Sequence, residues 1–554
     1  MTIQDKLDQY SDEAAQKGFD KPPKKKKEDT LDTLDSKKPV SSKEEGTTTQ
    51  KLMAIIDIIH FFSDTAGTPW AKVDESCYPV QSTGFKRRLQ RLYYQRHSKT
   101  PHSQALQDVL DQSTGIALFD SAVEDIHVRV AKKGEYIVVD RYDGVITIAP
   151  HGWEQGRAID ANFWQPQGLN SLPLPDKRGD GINLLRKYLN FDAEDDFRLL
   201  VAWLLAAYNP EIPCPILVLQ GEQGSAKSTN SKVLRSLIDP SGAMINPAPR
   251  EERSLVIQAQ NSHVLCLDNL SGLKVWLSDA LCRICSGTGF STRRLYTNDE
   301  QQIFQVQKPI ILNGIDDIAT RGDLLSRSIV LNLPAIPPED RKDEREFWRV
   351  FKLDQPFILG SIYDAISAGL TAGKPQLQQL PRMADFAEWV TRCETGLKWN
   401  TGSILKAYSE NKDNAIEAGL DGDYLGSAIR KIMNSRDHYE GTATDLCEKI
   451  RYAAPDVNEK YLPTTRTLKN RLTRLAPALR KVGIDWDYNP NGNQRTYSLD
   501  NVQKEVSKVS KVSANGQKAD DMDALDSKNP ALSKGEDFNE KFNEQFNSHE
   551  HAPF

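Results

Sequence analysis

Four short runs of this chain are almost wholly apolar: residues 216–219, 263–268, 309–313 and 328–333. Each is too short for a helix and reads as a strand buried on both faces, as in a parallel sheet. Two of them end in a polar residue, Asp268 or Asn313, and ligands collect at the carboxyl ends of such strands. Residues 192–208 place Asp195 and Asp196 ahead of a continuous apolar body, the pattern of a buried helix with acids at its amino end. Phe347, Phe351, Ile358, Ile362, Ile366 and Leu370 recur at helical spacing, and residues 382–389 continue the pattern. Upstream, residues 127–131, 136–140 and 144–148 read as three short strands punctuated by Gly134 and Gly144. Packing begins near Leu52. The polar, lysine-rich residues 1–50 and the polar residues 501–554 read as a disordered arm and tail. The expected organisation is therefore an arm (1–50), an N-terminal α+β domain (51–190), an α/β core (191–335), a helical region (336–435), a small C-terminal domain (436–500) and a tail.

The run at 216–219 opens into the loop Gly221, Glu222, Gln223, Gly224, Ser225, Ala226, Lys227, Ser228 and Thr229, followed by a helical stretch. Strand, glycine-bearing loop, Lys-Ser and helix form a phosphate-binding P-loop. Glycines let backbone N–H groups turn toward an anion, and the helix amino end adds its dipole. Lys227 suits the β- and γ-phosphates of ATP, and the Ser228 hydroxyl suits Mg²⁺. Ala226 stands where glycine usually precedes the lysine, a change that costs little where the local φ is negative. Asp268, at the end of the second run, is the carboxylate that would orient Mg²⁺.

Charge alters this picture locally. The net charge is -6, so any nucleic-acid surface must be confined to one patch. One lies at 82–102, where Lys86, Arg87, Arg88, Arg91, Arg96 and Lys99 interleave with aromatic residues; a DNA-contacting face and a solvated helix face both fit. Another lies at 462–481, where Arg466, Lys469, Arg471, Arg474, Arg480 and Lys481 occur without an acid. With helices expected at 443–453 and 466–475 and a hairpin at 484–499, this region reads as a winged helix offering a helix and a wing to duplex DNA. A protein-binding winged helix is the alternative. Seven dispersed cysteines, including Cys282 and Cys285 one helical turn apart, fit reduced thiols of a cytoplasmic protein. No apolar stretch suggests a signal peptide or a membrane span.

The order of phosphate loop, Asp-ended strand, Asn-ended strand and arginine-bearing segment resembles the AAA+ and superfamily 3 helicase ATPases over residues 192–333. The wording LVLQGEQGSAKST, DNLSGL, RRLYTNDEQQIF and DLLSRSIVLNLP is similar to ATP-binding replication proteins of phages and mobile elements, relatives of primase-helicases. The resemblance implies a P-loop NTPase core, ATP and Mg²⁺ as cofactors, and a homo-oligomeric ring around single-stranded DNA. It implies that Asn313 is a γ-phosphate or water sensor and that Arg327, with Arg321 as second choice, is an arginine finger acting in a neighbouring subunit. It also implies a hairpin at 289–304 that carries Arg293 and Arg294 toward DNA. One departure stands out. Asn269 follows Asp268 where a second acid is usual, and an amide orients water but takes no proton from it. Either Glu222, Glu251 or Glu252 does that work, or hydrolysis is slow and the chain is a nucleotide switch governing assembly or DNA binding in regulation or defence. A protein-remodelling ATPase is a third reading.

Overall fold

The computed structural model describes residues 46–156, 159–293, 301–304, 306–315, 318, 321–377, 380–490 and 495–502, with 290–293 and 301–304 as backbone. Its central element is a four-stranded parallel sheet of Ile216–Gln220, Leu265–Leu270, Ile310–Gly314 and Ser328–Asn332. Across the sheet the order is second, third, first, fourth. The first strand is flanked on both edges and buried at every position, which explains its unbroken apolar run. Leu219 lies between Asn313 and Leu331, so the carboxyl ends of three strands meet where the glycine-bearing loop leaves the sheet. Parallel neighbours require crossovers. Helices Lys227–Ser236 and Glu252–Gln260 connect the first strand to the second. Helix Val275–Ser286 and the antiparallel hairpin Phe290–Arg293 with Gln301–Phe304 connect the second to the third.

Helix Glu194–Ala207 is buried on nearly every face, as expected of a helix apolar all round. It packs among Glu344–Thr371, Ala384–Leu397 and Ser403–Gly422. The indole of Trp203 is fully buried and donates to the Pro215 carbonyl at 2.9 Å; that of Trp389 donates to Leu205 at 3.0 Å. Buried indoles thus keep a polar partner inside an apolar core.

An antiparallel sheet, Val130–Lys133, Tyr136–Asp140, Val145–Ala149 and Gly152–Gln155, covers one side of this assembly. Its strands alternate: Ile137, Val139, Ile146 and Ile148 face the central core, while Ala131 and Val138 pack with Phe163 on the other side. The central core therefore runs across position 190, where the sequence suggested a division. The separately packed N-terminal unit is smaller. It comprises helix Thr48–Ile56, a three-stranded sheet spanning residues 60–79, and helices Thr83–His97 and Ser103–Gly115, around Leu52, Phe61, Phe85, Leu89, Leu106 and Val109. Its first helix begins inside the expected arm, because Thr47 and Gln50 form a reciprocal capping box.

The strand expected at 127–131 is split into Ile126–His127 and Val130–Lys133, because Arg129 adopts a left-handed φ of 72°. The turn drives its guanidinium inward. There Nε lies 3.3 Å from Asp239 Oδ1, Nη1 donates to the Asp140 carbonyl at 3.0 Å, and Nη2 donates to Asn170 at 2.9 Å. Asp239, fully buried, also accepts from the N–H groups of His263 and Val264 at the entry to the second core strand.

The C-terminal unit contains helices Tyr424–Asn434, Ala443–Ala453 and Leu468–Lys481 and a three-stranded antiparallel sheet. In that sheet Thr496–Asn501 lies between His438–Thr442 and Ile484–Asn489. Two expectations change here. The unit starts at residue 424 rather than 436, since Leu425 and Ile429 belong to its core with Leu446, Leu468 and Leu499. The basic helix runs on through Pro477 to Lys481, where the stripe Leu468, Leu472, Ala476 and Leu479 stays buried. Residues 491–494 of the expected wing hairpin and the tail beyond 502 lie outside the described residues. Among the described residues, no helix is long and apolar enough to cross a membrane.

Candidate functional site

The loop after the first core strand is shaped by backbone that few residues adopt. Gly221 and Gly224 have φ of 145° and 88°. A Cβ on Gly221 would lie 2.6 Å from the Leu333 carbonyl and 2.8 Å from Ser225 Oγ, so this position has room for glycine alone. Ala226 also has a positive φ, 57°. The negative φ on which alanine would be nearly free is not what the loop uses, and the usual glycine would suit the position better. Ser225 is buried, and its hydroxyl donates to the Glu222 carbonyl at 2.9 Å, closing the loop. Gln223 and the Glu222 side chain are exposed. Helix Lys227–Ser236 begins directly after Ala226 with no side-chain cap, which leaves first-turn N–H groups to face the concavity.

Lys227 Nζ folds back onto the loop and donates to the carbonyls of Gly221 and Glu222 at 2.7 Å each. Burial lowers its pKa, opposed by the nearby Asp268 carboxylate. Ser228 Oγ donates to Asp268 Oδ1 at 2.9 Å across 40 residues of sequence. Thr229 lies in the first turn of the same helix. The Asn269 N–H donates to Asn313 Oδ1 at 3.0 Å, and Asn313 Nδ2 donates to Ser231 Oγ at 3.0 Å. Asn269 takes a left-handed φ of 56°, and the pairing of its strand shifts register there. The structure thus brings together Lys227, Ser228, Asp268, Asn269 and Asn313, which the sequence scatters over 87 positions. Glycine cradle, ammonium, hydroxyl and carboxylate together suit a polyphosphate with a hard divalent cation.

The remaining candidates lie elsewhere. The Arg327 carbonyl accepts from Ile216 N–H at 2.9 Å, so Arg327 stands at the amino end of the sheet, about 16 Å of strand from the loop. Its guanidinium pairs with Asp323, which also receives Arg382 at 3.0 Å. Asp323 is correspondingly held below the usual carboxylate range, although its partial burial acts the other way. Arg321 pairs with Asp279 at 2.8 Å. Glu252 is engaged by Arg283 at 2.7 Å and Glu251 by Ser254 at 3.3 Å. Arg293 ends a strand of the described hairpin, and Arg294 lies outside the described residues. In the C-terminal unit Arg466, Lys469 and Arg474 are exposed, and Lys469 lies 4.1 Å above the Tyr488 ring. Arg471 is occupied: it donates to the Tyr461 carbonyl at 2.8 Å and stacks over Tyr424. Cys282 and Cys285 are buried on one helix, and burial raises their thiols to about 11 and about 12.

Three residues beside the loop carried no recognisable signal. Asn190 and Asn230 exchange side-chain and backbone hydrogen bonds at 2.9 and 2.7 Å, and Asn190 Nδ2 reaches Ser225 O at 3.0 Å. A guanidinium nitrogen of Arg341 lies 3.5 Å from where a Gly224 Cβ would stand. These residues border a cavity of about 910 Å³ that continues from the loop toward Tyr188, Phe347 and Trp348. Contacts between positions 40 or more than 100 residues apart leave no local pattern.

Two family models match the chain, and the division between them falls where the central core gives way to the C-terminal unit. Residues 182–416 match the actinomycete integrative conjugative element replication protein. Residues 425–515 match the C-terminal domain of the same replication protein. Together the matches span more than half of the chain, and it is a replication protein of a mobile element. The second match begins within one residue of helix Tyr424–Asn434, where the C-terminal core starts. No curated protein matches the chain. Among solved structures, the A-form apo structure of the NrS-1 C-terminal region is similar at 14% identity and a TM-score of 0.38, over 82% of this chain and all of that one. A second apo structure of the same region gives 14%, 0.38, 83% and all.

Proposed function

We propose that this replication protein is a Mg²⁺-dependent ATPase of the AAA+/superfamily 3 kind that acts as a DNA helicase or translocase. The observation that carries the reading is the 2.9 Å bond from Ser228 to Asp268 beside a loop in which glycine, ammonium and helix amino end converge. In this reading loop N–H groups and Lys227 hold the phosphates, Lys227 exchanging its loop carbonyls for phosphate oxygens. Ser228 and Asp268 would hold the cation, which would supply positive charge against the charge developing on the transferred phosphoryl group. Asn313, fixed by Asn269 and Ser231, orients the attacking water or the γ-phosphate. Arg341 and the aromatic-walled cavity flank the rest of the nucleotide. The winged-helix reading of the C-terminal unit makes Arg466, Lys469 and Arg474 the duplex DNA contacts, and the hairpin with Arg293 the contact to a single strand in the ring.

The position of Arg327 favours action in trans, because the far end of the sheet serves another subunit's loop more readily than its own. Its pairing with Asp323 would have to yield on assembly. Arg327→Ala should keep ATP binding and lose on the order of 10³ in turnover. Mixed with Lys227→Ala, it should recover part of the activity, because some interfaces then hold an intact loop and an intact arginine. Mixtures that co-assemble yet stay inactive would remove Arg327 from this role and turn attention to Arg321. A slow switch is the second reading, favoured by one observation: Asn269 offers no base beside Asp268, and its backbone is committed to Asn313.

A further inference from the structure

Helix Thr83–His97 of the N-terminal unit carries a basic run that the function proposed above leaves unused. Ser82 starts the helix, its hydroxyl accepting from the Phe85 N–H at 3.1 Å. Phe85, Leu89, Leu92 and Tyr93 bury one face in the unit's own core. Away from that face, Arg87, Arg91 and Tyr94 follow one another at helical spacing, and all three are exposed. Positions 83–102 hold six cations and no acid, whereas the rest of residues 46–120 holds seven acids and two cations. The unit is thus nearly neutral as a whole, with its positive charge gathered on one element.

Ordinary helix chemistry accounts for part of that charge only. Arg96 lies in the last turn, where the helix dipole favours a cation. Arg88 is paired with Asp74. Arg87 and Arg91 have neither reason: among the described residues neither guanidinium has an ion-pair or hydrogen-bond partner. They stand four residues apart, where like charges repel. Lys86 closes a first turn that contains no acid, where the dipole disfavours a cation. This charge therefore works against the isolated helix, and a polyanion laid along it would turn the repulsion into attraction. Tyr94 narrows the choice of polyanion. It is 60% exposed one turn beyond Arg91, and among the described residues no ring or cation packs on it. Cations for phosphates beside a ring free to stack on a base are the parts of single-strand recognition. In a duplex the base faces are covered by their neighbours. We propose that this stripe binds single-stranded DNA, with Arg87 and Arg91 on phosphates and Tyr94 on one base. Arg87 to Tyr94 spans about 10 Å of helix, so the contact covers a few nucleotides. The proposal rests on the DNA-binding part of the function proposed above and adds a site on a separately packed unit.

The test uses the full chain without ATP and follows oligothymidylate binding by fluorescence anisotropy over a range of salt. Two phosphates released from a single strand, at about 0.7 each, predict that Arg87→Gln with Arg91→Gln flattens the salt slope by about 1.4. Thermal unfolding of that double variant should stay level or rise, because a like-charge pair is removed. Tyr94→Leu should weaken binding by about fivefold or more with the slope unchanged, and Tyr94→Phe should keep the affinity. If the double variant is unfolded, Tyr94→Leu against Tyr94→Phe decides. An unchanged slope in the folded double variant overturns the proposal. Full affinity in Tyr94→Leu also overturns it, since a flattened slope without a stacking contribution marks a general phosphate surface. Arg474→Ala with duplex DNA is the separate arm for the underlying reading. A flattened slope there, with no effect of the Arg87 and Arg91 changes on oligothymidylate, leaves DNA binding standing and removes this site. No salt-dependent DNA binding by the unaltered protein removes both.

Discussion

Replacing Arg129 by methionine should destabilise the protein more than any surface charge change. Arg129 and Asp239 are almost wholly shielded from water, 1% and 0% exposed. The guanidinium meets Asp239 and three backbone carbonyls, those of Asp140, Asn170 and Pro240. Methionine fills similar volume, so the loss is largely electrostatic: four acceptors lose their donor and a buried carboxylate loses its close countercharge. Asp239 retains two backbone N–H groups and Arg235 at 3.9 Å. Removing one partner of a buried pair costs about 3–5 kcal/mol, and the remaining contacts place the expectation at the lower end. Urea unfolding followed by tryptophan fluorescence reads this value. A double-mutant cycle with Asp239→Asn should give a coupling of about 1 kcal/mol or more. The effect should change little with salt, because no solvent separates the charges. A loss below about 1 kcal/mol, the range of exposed pairs, would refute the view that this cluster joins the antiparallel sheet to the core.

Two further outcomes follow from local geometry. Ala226→Gly should relieve a left-handed alanine worth about 1–2 kcal/mol, partly offset by roughly 0.5–1 kcal/mol of glycine entropy; thermal unfolding should therefore rise or stay level, and a clear fall would show that the loop does not hold this φ. In the C-terminal unit, the phosphates neutralised by Arg466, Lys469 and Arg474 would give a salt slope near about -2.7. Arg474→Ala should flatten it by about one charge, whereas Arg471→Ala should mainly lower stability, since its guanidinium is already spent on Tyr461 and Tyr424. Equal slope changes for the two would contradict that distinction.

The buried strands of the core were legible because each is a solid apolar block, and the loop because glycine, lysine and serine follow a strand at fixed spacing. Asn313 was legible as the polar end of a buried strand, and its sensor role only through resemblance. What the chain order concealed are contacts made at a distance: Asn190 with Asn230, Arg341 over Gly224, and the four acceptors around Arg129. Arg129 also misled locally, since its left-handed φ interrupts a run that alternates like one strand. The basic helix runs past the expected end at 475 because the buried stripe on either side of Pro477 sustains it. Position 190 looked like a boundary because the motif density changes there, yet Ile137, Val139 and Ile148 share one core with the parallel sheet.

The central claim is that Lys227, Ser228 and Asp268 form a working ATPase centre coupled to DNA. The direct measurement is steady-state ATP turnover by the full chain with Mg²⁺, with and without single-stranded DNA, beside Lys227→Ala and Asp268→Ala. The account predicts Mg²⁺-dependent turnover that DNA stimulates and that either substitution abolishes. ATP binding without turnover in the unaltered protein would contradict the motor and leave the switch; undiminished turnover in Lys227→Ala would contradict the site itself.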